Sequence, residues 1–135
     1  MKRPTYDQTL FLAAAAWNLG AAATLILRPE IFLARLGISD PAARVLARSL
    51  ASSVTTWGIS YALVAVNAQR FRDFARLGAF SKLLFAAVYT AALFAGQISL
   101  TAFLPALIDL LFALLFIEFL WRTAKRKKET TDGHG

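Results

Sequence analysis

The sequence predicts an all-α integral membrane protein: a four-helix bundle with both termini in the cytoplasm and a short interfacial helix between spans 1 and 2. Of its 135 residues, 58% are hydrophobic and 17% are charged, and the mean hydropathy is +0.55. A soluble domain typically has about 45–50% apolar and roughly 25% charged residues. The apolar residues form continuous runs rather than alternating ones, which favours helices over a β-barrel. This composition excludes most soluble enzyme classes.

The runs are long enough for four crossings, because about 20 helical residues cover a hydrocarbon core of roughly 30 Å. The fourth run is interrupted by Asp109 and Glu118. We expect one transmembrane domain, residues 1–124, followed by a basic and polar cytoplasmic tail, residues 125–135. The predicted spans cover residues 8–27, 42–68, 77–97 and 101–121.

Proline and glycine mark the connections. Pro29 ends the first span, and the segment Pro29–Gly37 is typical of a short helix that lies along the interface and ends at its glycine. Asp40 and Pro41 predict the start of the second span at about Pro41. The link around Gly96–Ser99 is very short, which predicts an antiparallel hairpin of the last two spans.

The distribution of cations predicts the orientation. With both termini inside, 11 of the 15 Lys and Arg residues face the cytoplasm and four face out, as the positive-inside rule favours. The formal charge of +7 is then explained by membrane orientation, and we expect no nucleic-acid partner. The N-terminal region also resembles a signal peptide. Asp7 and an apolar run that continues to Leu27 count against cleavage.

Few residues suggest cofactor or enzyme chemistry. Cysteine is absent, and the single histidine, His134, lies in the polar tail, so we predict no metal site. No nucleophile–base arrangement or glycine-rich phosphate loop is visible. The sequence leaves an enzymatic activity open but does not favour one.

Two ion pairs are predicted inside the membrane, where ionisable groups are costly. Asp109 lies about 12 Å beyond Thr101 along the fourth span, and Arg48 enters from the same side, so we expect these two to pair. The alternative is that Asp109 titrates and binds a proton or a polar ligand. Lys82 and Glu118 form a second candidate pair, and Glu118 lies half a helical turn out of phase with Asp109 on the fourth span.

Small and aromatic residues indicate either packing or a pocket. Ala16, Gly20 and Thr24 predict close helix approach, as does a hydroxyl stripe on the second span that includes Thr56. Alternatively, Asn18, Thr56 and Asp109 lie at similar depths and line a small polar pocket. Aromatic residues offer walls for a flat apolar ligand such as a quinone, although ordinary packing also explains them. They are Trp17, Trp57, Tyr61, Tyr89 and Phe112.

The segment Arg122–Lys128 carries five cations. They predict anchoring to anionic lipid at the cytoplasmic leaflet. Beyond it, we expect residues 130–135 to be disordered.

The chain resembles the DoxX-like group of small four-helix bacterial membrane proteins over about residues 10–120. The resemblance rests on short motifs: Trp17-Asn18-Leu19-Gly20, Arg28-Pro29-Glu30, Leu36-Gly37, Gly58-Ile59-Ser60-Tyr61, Leu77-Gly78-Ala79-Phe80-Ser81-Lys82 and Asp109-Leu110-Leu111-Phe112. It implies a bacterial inner-membrane location and an association with quinone-linked redox systems. It implies no catalytic residues.

Three functional hypotheses follow. The first is a non-catalytic accessory or structural subunit that contacts its own copies or a larger membrane complex. The second is a binder or redox partner for a lipophilic molecule such as a quinone, which would use the Asp109 face. The third is a small oligomeric proton-coupled transporter; the first span lacks the carboxylate expected of a small multidrug transporter.

Single-cysteine labelling tests the predicted orientation on a chain that has no natural cysteine. In oriented vesicles, we expect an impermeant maleimide to label Thr130→Cys from the cytoplasmic face and Ser39→Cys from the opposite face. Labelling of both from one face would contradict the topology.

Overall fold

The computed structural model describes residues 5–132, with side chains as far as Lys127, and it is helical almost throughout. Lys2, Arg3 and His134 lie outside the described residues. The helices are α1 (Tyr6–Leu27), α2 (Pro29–Arg35), α3 (Ala43–Val66), α4 (Arg72–Phe94) and α5 (Leu100–Asp132).

Four of the helices are long and apolar enough to cross a membrane: α1, α3, α4 and the part of α5 up to Lys127. The predicted all-α bundle is therefore confirmed. Most helix ends lie within three residues of the predicted spans, and two extend further beyond them. The helix α4 begins at Arg72 rather than at residue 77, and α5 continues through the basic segment to Asp132. Lys, Arg and Glu are good helix formers, and neither stretch contains a proline that would stop the helix.

Local signals account for the helix ends. Thr5 and Gln8 form a capping box at the start of α1, which satisfies backbone N–H groups that have no partner within the helix. Gly37 and Gly96 follow α2 and α4 with φ of +70° and +68°. These left-handed conformations favour glycine and end each helix, as the sequence predicts for Gly37.

The helices form two antiparallel pairs. One pair is α1 with α3, bridged by α2, and the other is the predicted hairpin of α4 and α5. The two pairs meet most closely in the half of the bundle remote from α2. There the ring of Phe11 stacks on Phe116 at 4.7 Å and meets Phe119 edge-on at 5.0 Å, while Tyr61 meets Phe116 at 5.0 Å. The ion pair between Arg122 and Asp7 joins the pairs at the same end.

One close approach between the pairs depends on a glycine. A Cβ atom placed on Gly78 of α4 would lie 2.5 Å from Cε1 of Tyr61 on α3. Tyr61 is only 1% exposed, so its ring has little room to move. Gly78 therefore allows Tyr61 to pack directly against the α4 backbone.

We expect Gly78→Ala to destabilise the protein by about 1–3 kcal/mol, the typical cost of overpacking a filled core. Gly20→Ala is the matched control, because a Cβ there has nothing within 4 Å. Thermal unfolding in mild detergent, followed by circular dichroism, measures both. Equal stability of the two variants would contradict the proposed role of Gly78.

Candidate functional site

A cavity of about 490 Å³ separates the two helix pairs in the half of the bundle next to α2. Its walls are largely apolar and aromatic, and Arg35 and Phe32 of α2 lie at its α2 end. Besides Phe32, the aromatic residues that line it are Trp17, Trp57, Tyr61, Phe85 and Tyr89. The cavity is of the size and character of a small-molecule site.

Small residues create this space. Ala16, Gly20, Ala21 and Thr24 of α1 all line the cavity, and no atom lies within 4 Å of a Cβ built on Gly20. The expectation that Ala16, Gly20 and Thr24 bring two helices into close contact is therefore wrong. This face of α1 instead leaves room between the pairs.

Thr56, in the predicted hydroxyl stripe of α3, also differs from the prediction. Thr56 is exposed and lies outside the cavity lining, and its hydroxyl donates to the Ser52 carbonyl of its own helix at 2.9 Å. A bond to the preceding turn satisfies a hydroxyl without a second helix. Of the three predicted pocket residues, the structure brings Asn18 and Asp109 to the cavity and leaves Thr56 outside.

Three polar side chains form the cavity floor, by which we mean Lys82 of α4, Asp109 of α5 and Asn18 of α1. The ammonium Nζ of Lys82 donates to Asp109 Oδ1 and, at 3.1 Å, to Asn18 Oδ1. The Lys82 side chain is 4% exposed and that of Asp109 is 17% exposed. The same ammonium lies 5.4 Å from the Tyr61 ring centroid and 5.5 Å from that of Phe112, within cation–π range.

The floor lies near the middle of the membrane-spanning helices. Asn18 is nine residues before the end of α1, and Asp109 is nine residues after the start of α5. At 1.5 Å per residue, each is about 14 Å from the α2 end, close to half of a 30 Å hydrocarbon core. The cavity thus connects the α2 end of the protein with a charged pair at mid-span.

Both predicted ion pairs are wrong. Asp109 pairs with Lys82 rather than Arg48, whose Nε donates to the Ile26 carbonyl at 3.4 Å. Arg48 lies only five residues into α3, nearer the α2 end than Asp109, and α3 makes its main contacts with α1. Glu118 pairs with Arg122 one helical turn further along α5, rather than with Lys82.

A sequence signal for the correct pair did exist. Lys82 lies 12 residues before the end of α4, and Asp109 lies nine residues after the start of α5. In a hairpin with a short loop, positions at similar distances from the loop lie at similar heights. That rule favours Lys82 over Arg48 as the partner of Asp109.

Below the floor, aromatic packing fills the bundle. Phe11 and Phe116 are fully buried, and Phe119 is 1% exposed. Leu10, Val64 and Ala75 complete the same core. The cavity is therefore one-sided, with packed side chains between its floor and the opposite end of the bundle.

The α2 end carries charge but is open to solvent or headgroups. Arg35 borders the cavity and is exposed. Nearby, the guanidinium of Arg28 hydrogen-bonds to Glu30 and lowers the pKa of that carboxyl below its ordinary value. Among the side chains of residues 5–127, the structure shows no group of three metal-ligating residues.

We expect single substitution of either charged partner to cost about 3–5 kcal/mol, because it leaves an unpaired charge in a buried site. Lys82→Met and Asp109→Leu should each lower the thermal midpoint, and the double variant should recover most of the loss. Arg48→Gln is the control, and we expect it to have little effect. A double variant less stable than both single variants would contradict the pair.

No protein-family model, no curated protein and no solved structure matches this chain. The chemistry of the site is therefore inferred from its own geometry.

Proposed function

We propose that this small multi-pass membrane protein is a non-catalytic accessory protein of the DoxX-like type that binds a lipophilic molecule in the one-sided cavity. A flat lipophilic ring compound such as a quinone is the ligand class that the walls fit. Flat aromatic side chains can stack on its ring, and a hydrogen-bond donor at the floor can meet a carbonyl oxygen. An apolar tail can extend past α2 into lipid.

The cavity floor is the single observation that carries the proposal. A bundle stabilised by packing alone has no need of an open cavity that ends at a buried Lys82–Asp109 pair. Buried ionic groups are costly in a membrane and are commonly associated with ligand or ion sites. A polar floor beneath apolar walls is the usual arrangement for an oriented lipophilic ligand.

A proton-coupled transporter is less well supported. Transport needs access to the site from both faces, and the core around Phe11 and Phe116 fills the bundle below the floor. Binding from one side needs no such opening.

The setting that we propose is the bacterial inner membrane, with both termini in the cytoplasm. The cations of α5 from Arg122 to Lys127 then lie next to the cytoplasmic leaflet, where they attract anionic lipid. The exposed apolar surfaces of the spans face lipid, further copies of this chain or a larger membrane complex. In this orientation the cavity opens towards the outer leaflet.

Tryptophan fluorescence tests binding directly. The chain has three tryptophans; Trp17 and Trp57 line the cavity, whereas Trp121 is 68% exposed. In a Trp121→Phe background, every remaining tryptophan reports on the cavity. We expect decylubiquinone, a short-chain quinone, to quench this fluorescence saturably in nanodiscs.

Gly20→Leu should weaken the quenching by about tenfold or more, because its side chain projects into the space that the ligand occupies. Ala23→Leu is the matched control, since Ala23 is exposed on the same helix and outside the cavity lining. Linear, unsaturable quenching that is equal in both variants would refute ligand binding in the cavity.

A further inference from the structure

The hydrogen-bonding capacity of the floor is only partly used. Lys82 can only donate, so the Asn18 amide must present its oxygen to the ammonium. The amide nitrogen Nδ2 of Asn18 is then directed away from Lys82, and it donates to no residue that the structure describes. Asn18 is 8% exposed and lines the cavity.

The carboxylate of Asp109 also has unused capacity. Its Oδ1 accepts from Lys82, whereas its Oδ2 accepts from none of the described side chains. An ionised carboxylate offers about four lone-pair sites on its two oxygens. The floor therefore presents one free acceptor, Asp109 Oδ2, and one free donor, Asn18 Nδ2.

The charge of the floor is balanced. The Lys82 ammonium is offset by the Asp109 carboxylate within a direct hydrogen bond. An anionic head group would gain little net attraction and would lie against the carboxylate. A neutral head group avoids this repulsion and can still hydrogen-bond to charged partners, which are stronger acceptors than neutral ones.

We infer that the ligand of this cavity carries a hydroxyl group on an aromatic ring, so that its class is a lipophilic phenol. The hydroxyl hydrogen is donated to Asp109 Oδ2, and the hydroxyl oxygen accepts from Asn18 Nδ2. A hydroxyl combines both functions on one oxygen, whereas a carbonyl only accepts. The rings of Trp17, Trp57 and Tyr89 provide the surfaces for the aromatic ring.

This inference rests on the proposed function and narrows it. A quinone carbonyl uses only the donor at the floor and leaves the acceptor of Asp109 without a partner. Unpaired buried polar groups are what make hydrogen-bonding sites selective. The cavity therefore binds a ligand that carries a hydroxyl hydrogen more tightly than a similar ligand that lacks it.

Two ligands test the inference: 4-nonylphenol and its methyl ether, 4-nonylanisole, in which a methyl group replaces the hydroxyl hydrogen. We would titrate each into nanodiscs of the full chain by isothermal titration calorimetry, with empty nanodiscs subtracted. We expect the phenol to bind about tenfold more tightly or better, the effect of one hydrogen bond to a charged acceptor. Equal affinities, or a tighter ether, would overturn the inference.

The phenol and the ether can also differ in how strongly each partitions into the lipid. The double variant Lys82→Met/Asp109→Leu is the control for that difference. It removes the acceptor without leaving an unpaired charge, so the ratio of the two affinities should fall to about one. An unchanged ratio would show that the preference arises elsewhere and would also overturn the inference.

The quenching of tryptophan fluorescence by decylubiquinone distinguishes failure of the hydroxyl inference from failure of the proposed function. If decylubiquinone quenches saturably but the phenol has no advantage over the ether, the hydroxyl inference is wrong and lipophilic binding stands. If neither the quinone nor the phenol binds, both proposals fail.

Discussion

The buried ammonium of Lys82 constrains the whole bundle. In a hydrocarbon core no water is available to solvate it, so its partners must come from the protein. They come from two other helices, Asp109 on α5 and Asn18 on α1. These contacts exist only when the helix pairs are held at one relative height and rotation. The polar floor therefore fixes the register between the two pairs, which apolar packing in lipid specifies only weakly.

The two halves of the bundle have different roles because different side chains face the interior. Phenylalanine and tyrosine fill the half remote from α2, whereas small residues such as Gly20 and Ala21 face the interior near α2. The packed rings in one half hold the pairs together, whereas in the other half the small side chains of α1 leave a space that aromatic side chains line but do not fill. A densely packed end thus adjoins an open end, as the proposed binding of a ligand from one side requires.

The orientation of hydrogen-bonding groups gives the cavity its chemical character. Lysine has donors alone, so its two contacts determine how Asn18 and Asp109 present their remaining atoms. The result is a neutral floor with one donor and one acceptor, below aromatic walls. Under the proposal made above, this combination favours neutral, flat, lipophilic ligands over fatty acids and other anions. The proposed phenol preference follows from that arrangement rather than from the size of the cavity.

The sequence by itself determined the helices, because helix formation and membrane insertion depend on neighbouring residues and on run length. The four long apolar helices, the short helix before Gly37 and the α4–α5 hairpin were all predictable. The heights of Lys82 and Asp109 in the hairpin could be read from the sequence, but only the tertiary structure decided that the two side chains face each other, and that Gly20 borders a cavity rather than another helix. Both outcomes depend on the rotation and height of one helix against another, and the hydropathy of a single helix carries no information about either.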